Sequence, residues 1–226
     1  MFLNRLVWVF ASPSKLFADV RESRAKWWEA WIWVSLIYIV ASYFLMPVTA
    51  VLMELNESGL PIDQVDAQLE FLEKWGTLLI LLTPLQVLIQ GLIVFGLGYI
   101  LVSILSPAAN FKKFFTIGLF ASIVANCASL LNVLIVRMRG LDAIQGASDV
   151  EAAAVSLAFL SPGEGALARS FFSSIEFFTI WALVVVAIGL MRVFDMTRNQ
   201  AVICVIPLWL LFFIQRLIGA VAGGLG

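Results

Sequence analysis

The sequence predicts an all-α fold: a polytopic integral membrane bundle of five transmembrane helices with an N-terminal interfacial amphipathic helix. Three observations point there. The 226 residues are 62% hydrophobic and only 13% charged, where soluble domains have about 45–50% apolar and about 25% charged residues. Several uncharged runs exceed the roughly 18 residues that a helix needs to cross a bilayer. The alternation in segments of about ten residues that marks a membrane β-barrel is absent.

Residues 1–28 read as a cytoplasmic or interfacial amphipathic segment and 29–226 as the membrane domain, with spans near 30–53, 77–105, 114–136, 170–191 and 200–222. In the first segment Arg5, Lys15, Arg21, Arg24 and Lys26 alternate with Phe2, Leu3, Leu6, Val7 and Phe10 at helical spacing. Ser12 and Pro13 fit the N-cap and first position of a second short helix, with Leu16, Phe17 and Val20 on one face. Charged and apolar residues mixed in this way, beside Trp8, Trp27 and Trp28, suit a helix lying in the membrane interface.

The first span is the uncharged run Ala30 to Met53, its start crowded by interfacial tryptophans. An acidic loop follows, with Glu54, Glu57, Asp63, Asp66, Glu70 and Glu73 against Lys74. After Pro61 the acids line one helical face and Ile62, Val65, Leu69 and Leu72 another, so a solvated amphipathic helix is expected. A divalent-cation site is the other reading, but EF-hand spacing is missing. The second span runs from Thr77 to Leu105. Pro84 is placed to kink it, and Gly91, Gly96 and Gly98 to admit a neighbouring helix.

Lys112 and Lys113 form a basic turn before the third span, Phe114 to Val136, whose Ala121, Ala125 and Ser129 make a small-xxx-small series for tight packing. Gln90 and Asn126 sit near mid-depth, and a hydrogen bond between them would contribute on the order of 1 kcal/mol. A polar pathway for a solute is the alternative there. Ser148 and Glu151 resemble a capping box that starts a short helix over 149–160. The fourth span carries Glu176 about two turns inside its start, at 3.6 residues per turn. It ends on the turn MRVFDMTRN, and the fifth span holds Pro207, Trp209, Gln215, Arg216, Gly219 and Gly223.

Several function classes are disfavoured by what is missing. Histidine, the commonest general base and metal ligand, does not occur. Cys127 and Cys204 lie in apolar runs and read as small buried hydrophobes. A net charge of −1 gives no electrostatic footprint for nucleic acid. There is no Walker loop, HExxH helix or nucleophile elbow. The expectation is therefore no catalytic residue, no metal and no cofactor. The polar candidates are an intramembrane cluster of Glu176, Arg216, Gln86, Gln90 and Asn126. Glu176 and Arg216 fall at similar depth and would relieve each other's burial as an ion pair, with Arg169 a competing partner. Glu176 alone could instead carry protons.

Orientation follows from the loop lysines and arginines. The N-terminal segment, the Lys112–Lys113 turn and the Arg192-to-Arg198 turn hold nine basic residues, and the opposite side holds five. This places the N-terminus in the cytoplasm and the C-terminus outside.

Three stretches resemble the YIP membrane-domain family, whose eukaryotic members are named as interactors of Rab-type GTPases. They are SPSKLFADV before the first span, ANFKKFFTIGLFAS entering the third, and IEFFTIWALVVVAIGLMRVFDMTRNQAV. The resemblance covers nearly the whole chain and implies five spans with a cytoplasmic N-terminus. The long N-terminal region and the acidic-Leu-Tyr-Gly-Pro motif of the eukaryotic members are missing, which puts GTPase binding in doubt and suggests a prokaryotic relative in a bacterial inner membrane. The functional expectation is a non-enzymatic scaffold, membrane organiser or trafficking-like protein that meets the lipid bilayer and a membrane-protein partner or a second copy of itself. The alternative is a small transporter or channel component with a polar route through Gln86, Gln90, Asn126, Asn132 and Glu176.

Overall fold

The computed structural model of the chain describes residues 2–55, 59–144 and 176–224, with side chains through 214 except that of 212. Among these, seven α-helices and one short 3-10 turn follow one another, and the helical membrane bundle is the observed architecture. The short helix expected over 149–160, and Arg169, lie outside the described residues.

Two short helices come first. α1 (Phe2–Ala11) leads through Ser12 into α2 (Pro13–Arg21), where Pro13 occupies the first turn, a position that needs no N–H. α2 buries Leu16, Phe17 and Val20, the face its spacing predicts. It closes on Ser23 at φ 59°, with the N–H groups of Ser23 and Arg24 on the carbonyls of Val20 and Asp19. That left-handed closure satisfies the last carbonyls and turns the chain back. α3 (Trp27–Leu55) then starts beside α1.

α4 (Ile62–Leu105) departs from expectation. The acidic amphipathic helix and the second span form one helix of 44 residues, about 66 Å at 1.5 Å per residue and roughly twice the hydrocarbon thickness. Nothing between Pro61 and Pro84 breaks helical phase, so the soluble-looking start continues into the apolar run. Pro84 lies inside the helix, and its carbonyl accepts a hydrogen bond from Trp31 Nε1 of α3 at 2.9 Å.

α5 (Phe111–Arg139) begins on Asn110, whose side chain accepts the Lys113 N–H at 3.3 Å. It is the most enclosed of the spanning helices, with 44% of its apolar window buried against 11–33% for the others. It packs on α3, α4 and α6 (Phe177–Phe194). Phe114, Ile117, Phe120 and Ile123 of α5 meet Phe17 of α2 and Leu190 of α6 in one core. α7 (Arg198–Gly224) completes the bundle beside α6 and α4.

α3, α4, α5 and α6 are long and apolar enough to cross a membrane. α7 has 27 residues, of which Arg198–Leu211 form a described apolar stretch. The turn before it carries a full capping box: Thr197 N–H donates to Gln200 Oε1 at 2.9 Å and Gln200 N–H to Thr197 Oγ1 at 3.4 Å. That signal stands in the sequence as Thr-Arg-Asn-Gln.

Candidate intramembrane cavity and buried charge cluster

α3, α4, α5, α6 and α7 line a half-open cavity of about 360 Å³. Its polar wall comes from Tyr38, Gln90, Ser122, Asn126, Glu176 and Thr179, and its apolar wall from residues such as Val94, Leu119, Val186 and Leu208. The series Ala121, Ala125 and Ser129 lies on this cavity. Ala121 and Ala125 also belong to the packed core, so the small side chains border both close packing and the space beside it. Close approach occurs at other residues as well: Gly98 against Leu208 and Phe114, Gly118 against Phe95, and Gly189 against Ile117.

Glu176 is 7% exposed, and its Oε1 accepts a hydrogen bond from Thr179 Oγ1 at 2.6 Å. It is the N-cap residue of α6, in extended conformation, and does not sit two turns inside a helix. The apolar run conceals this start, because Glu176 and Thr179 are the polar signals available and glutamate is not a favoured cap. The position nevertheless suits an acid, since the positive end of the helix dipole faces it.

The predicted polar cluster is only partly assembled. Glu176, Gln90 and Asn126 share the cavity. Asn126 Nδ2 donates to the Ser122 carbonyl at 2.7 Å and its side chain also meets Tyr38, so a direct Gln90–Asn126 bond does not form among the described residues. Gln86 opens on a second hollow of about 220 Å³ between α3 and α4, beside Ser42, Thr49 and Thr83. The Arg216 side chain lies outside the described residues, and the Glu176–Arg216 pair with it.

A second polar centre went unforeseen. Arg5 of α1, Asp19 of α2 and Glu29 of α3 are 5–6% exposed and joined in one network. Arg5 Nη1 donates to both Glu29 oxygens at 2.8 and 2.6 Å, and Nε and Nη2 donate to Asp19 Oδ2 at 3.1 and 2.9 Å. Arg24 holds the other Asp19 oxygen at 3.0 Å, and the Lys26 N–H reaches Glu29 Oε1 at 3.2 Å as half of a capping box for α3. Arg5 reads in the sequence as an interfacial charge; the fold turns it inward. Burial lowers its pKa, but the hydrogen bonds and charges of Glu29 and Asp19 outweigh burial and raise it above the ordinary arginine value. A raised cationic pKa gives stabilisation that is complete below the ordinary value and lost only above it, so Arg5 contributes equally across neutral pH.

Over residues 8–218 the chain matches the family model of the Yip1 domain. It belongs to the Yip1 domain family. It is also similar to the membrane protein YknW of Bacillus subtilis (strain 168), 24% identical over 221 residues that cover 95% of this chain and 91% of the relative. No solved structure matches.

All three family-like stretches of this Yip1-domain chain converge in space. SPSKLFADV supplies Phe17 and Asp19, ANFKKFFTIGLFAS supplies Ile117, and the third stretch supplies Gly189, whose missing Cβ would stand 2.5 Å from Ile117 Cγ2 and 3.2 Å from the Phe17 ring. Around them the basic end of the Yip1 bundle is tied together. Arg21 forms a bidentate pair with Asp195 at 2.8 and 2.7 Å and donates to the Arg192 carbonyl at 3.2 Å, while Lys113 Nζ reaches the Arg21 carbonyl at 2.7 Å. Asp195 accepts this pair from a left-handed position, φ 53°, at the C-terminus of α6, where a cation is favoured by the dipole.

Proposed function

We propose that this Yip1-family membrane protein is a non-enzymatic scaffold, organising membrane components through its outer helix faces in a bacterial cell membrane, with its N-terminus in the cytoplasm. The observation that carries the reading is the division of the predicted route: Gln90, Asn126 and Glu176 open on one cavity and Gln86 on another. A transport path is served by polar groups along one continuous space, and Gln86 lines a different hollow from the other three. The outer face of α4, with Leu81, Leu85, Ile89, Ile93, Ile100 and Ile104 exposed, offers a long apolar surface to lipid and to partner helices. One observation favours the transporter reading, the 360 Å³ cavity that reaches Glu176.

Proteoliposomes loaded with a pH-sensitive dye separate the two. Scaffold action predicts that wild type and Glu176→Gln leak protons no faster than protein-free vesicles. A flux present in wild type and abolished by Glu176→Gln would overturn it. In cells, a photocrosslinker at Ile93 should capture a discrete membrane protein or a second copy of the chain; crosslinking to lipid alone counts against the scaffold.

A further inference from the structure

α4 carries a repeat on the side that the bundle leaves open. Phe71 and Trp75 begin it, and Leu78, Leu82, Leu85, Ile89 and Leu92 continue it in alternating steps of three and four. Each is 43–55% exposed. Such steps mark the a and d positions of a coiled coil, with Trp75, Leu82 and Ile89 at a and the others at d. The bundle uses a different side of the helix. Gly76 at b approaches Met46 of α3, and Gly91 at c approaches Phe115 of α5. The next a position is Gly96, which supplies no side chain, and the seam ends there.

Lipid can cover only part of this seam. The uncharged stretch of α4 from Trp75 to Leu105 is about 46 Å long, against about 32 Å of hydrocarbon along a helix tilted by roughly 20°. Leu105 lies just before the Lys112–Lys113 turn, so the excess falls at the other end. Phe71, Trp75, Leu78 and Leu82 then stand at headgroup level or beyond, with apolar surface exposed to polar surroundings. Charge is kept off the same side. Asp63, Asp66, Glu70 and Glu73 fall at c and f, while Gln64 and Gln68, which continue the d and a positions outward, are uncharged. Two copies of this acidic helix can therefore meet along the seam without bringing carboxylates together. Gln68 against its counterpart is a polar a-position pair of the kind that fixes register. Both copies enter the membrane in one direction, so a two-fold axis along the membrane normal sets their seams parallel. Together with the flanking Leu79, Leu81 and Ile93, the seam presents on the order of 800 Å² per copy, about what a standard stable interface takes from each partner.

We propose that the protein pairs with a second copy of itself through α4, as a parallel two-helix coiled coil over residues 64–92. This rests on the scaffold reading for the use of the outer α4 face and deepens it by naming the partner. The two fail separately: proton flux through Glu176 would overturn the scaffold and leave the dimer, whereas a different protein captured at this face would overturn the dimer and leave the scaffold. The test is oxidation of single cysteines in the full chain in native membranes, on a Cys127→Ala/Cys204→Ala background. Gln68→Cys and Leu78→Cys, on the seam, should give a disulfide-linked dimer. Asp66→Cys and Glu73→Cys, exposed at f, should give roughly tenfold less, because their Cα atoms lie beyond the about 7 Å that a disulfide can bridge. Trp75→Glu, which sets two like charges face to face, should abolish the Gln68→Cys dimer. Should Trp75→Glu fail to insert, Phe71→Ala/Leu78→Ala, which only trims exposed side chains, should reduce that dimer by roughly tenfold or more. Dimer from all four cysteines alike, from none of them, or unaffected by these substitutions overturns the proposal.

Discussion

Removing the Arg5 guanidinium would leave Asp19 and Glu29 buried, with Arg24 still holding one oxygen of Asp19. Breaking a buried ion cluster from one side typically costs about 3–5 kcal/mol, whereas replacing the whole cluster by apolar groups is often neutral. Arg5→Met should therefore lower the thermal midpoint of the purified protein sharply, and Arg5→Met/Asp19→Leu/Glu29→Leu should recover most of the loss. If the triple variant is as unstable as the single one, the cluster contributes more than mutual neutralisation. Glu176 gives a smaller experiment. Thr179→Val removes a buried hydrogen bond of 2.6 Å, so about 0.5–1.5 kcal/mol should be lost, as read from denaturation in detergent; an unchanged midpoint would mean that the bond contributes nothing net. The two polar centres differ in how visible they are. Glu176 interrupts an apolar run and stands out in one dimension. Asp19 and Glu29 sit 14 and 24 positions from Arg5 along the chain, and each of the three looks at home in an amphipathic segment. Their pairing is a property of the α2–α3 turn, which residue spacing alone does not disclose.

Among the described residues, helix existence was legible in the sequence and helix ends were not. The apolar runs are long enough to force helices, because a bilayer leaves no other partner for backbone groups. Boundaries depend on capping, and capping was readable only where the residues are the favoured types. Thr197 and Gln200 could have placed the start of α7, whereas Glu176 could not have placed that of α6. The glycines show a similar division. Gly118 is enclosed, and a Cβ there would stand 2.5 Å from the Phe95 ring, itself wedged against Phe114 and Phe115. A Cβ on Gly189 would meet the fully buried Ile117 at 2.5 Å. Gly96, which the sequence groups with Gly91 and Gly98 as an approach point, has nothing within 4 Å. Gly118→Ala and Gly189→Ala should each destabilise by about 1–3 kcal/mol through overpacking. Gly96→Ala should instead stabilise by about 0.5–1 kcal/mol, because alanine is the better helix former. Thermal unfolding of the three variants side by side checks this, and a destabilising Gly96→Ala would mean that a neighbour packs on that face in the membrane.

At the scale of the whole molecule, charge is sorted by end. The N-terminal helices, the Lys112–Lys113 turn and the α6–α7 turn are separate in sequence, and hydrogen bonds from Arg21 and Lys113 bring them to one end of the bundle. The opposite end carries the first turns of α4, with Asp63, Asp66, Glu70 and Glu73 on a helix long enough to project well beyond the hydrocarbon. The excess of lysine and arginine at one end is what the positive-inside rule needs to set a direction. The basic end should lie in the cytoplasm and the acidic start of α4 outside. Single cysteines on a Cys127→Ala/Cys204→Ala background make this measurable, with Ile62→Cys at the acidic end and Lys112→Cys at the basic end. Both native residues are exposed, Ile62 at 76%, so each introduced thiol is open to reagent. In intact cells a membrane-impermeant maleimide should label Ile62→Cys at once and Lys112→Cys only after permeabilisation. The reverse pattern would invert the bundle, and labelling of both sites from one side would mean that α4 does not cross the membrane.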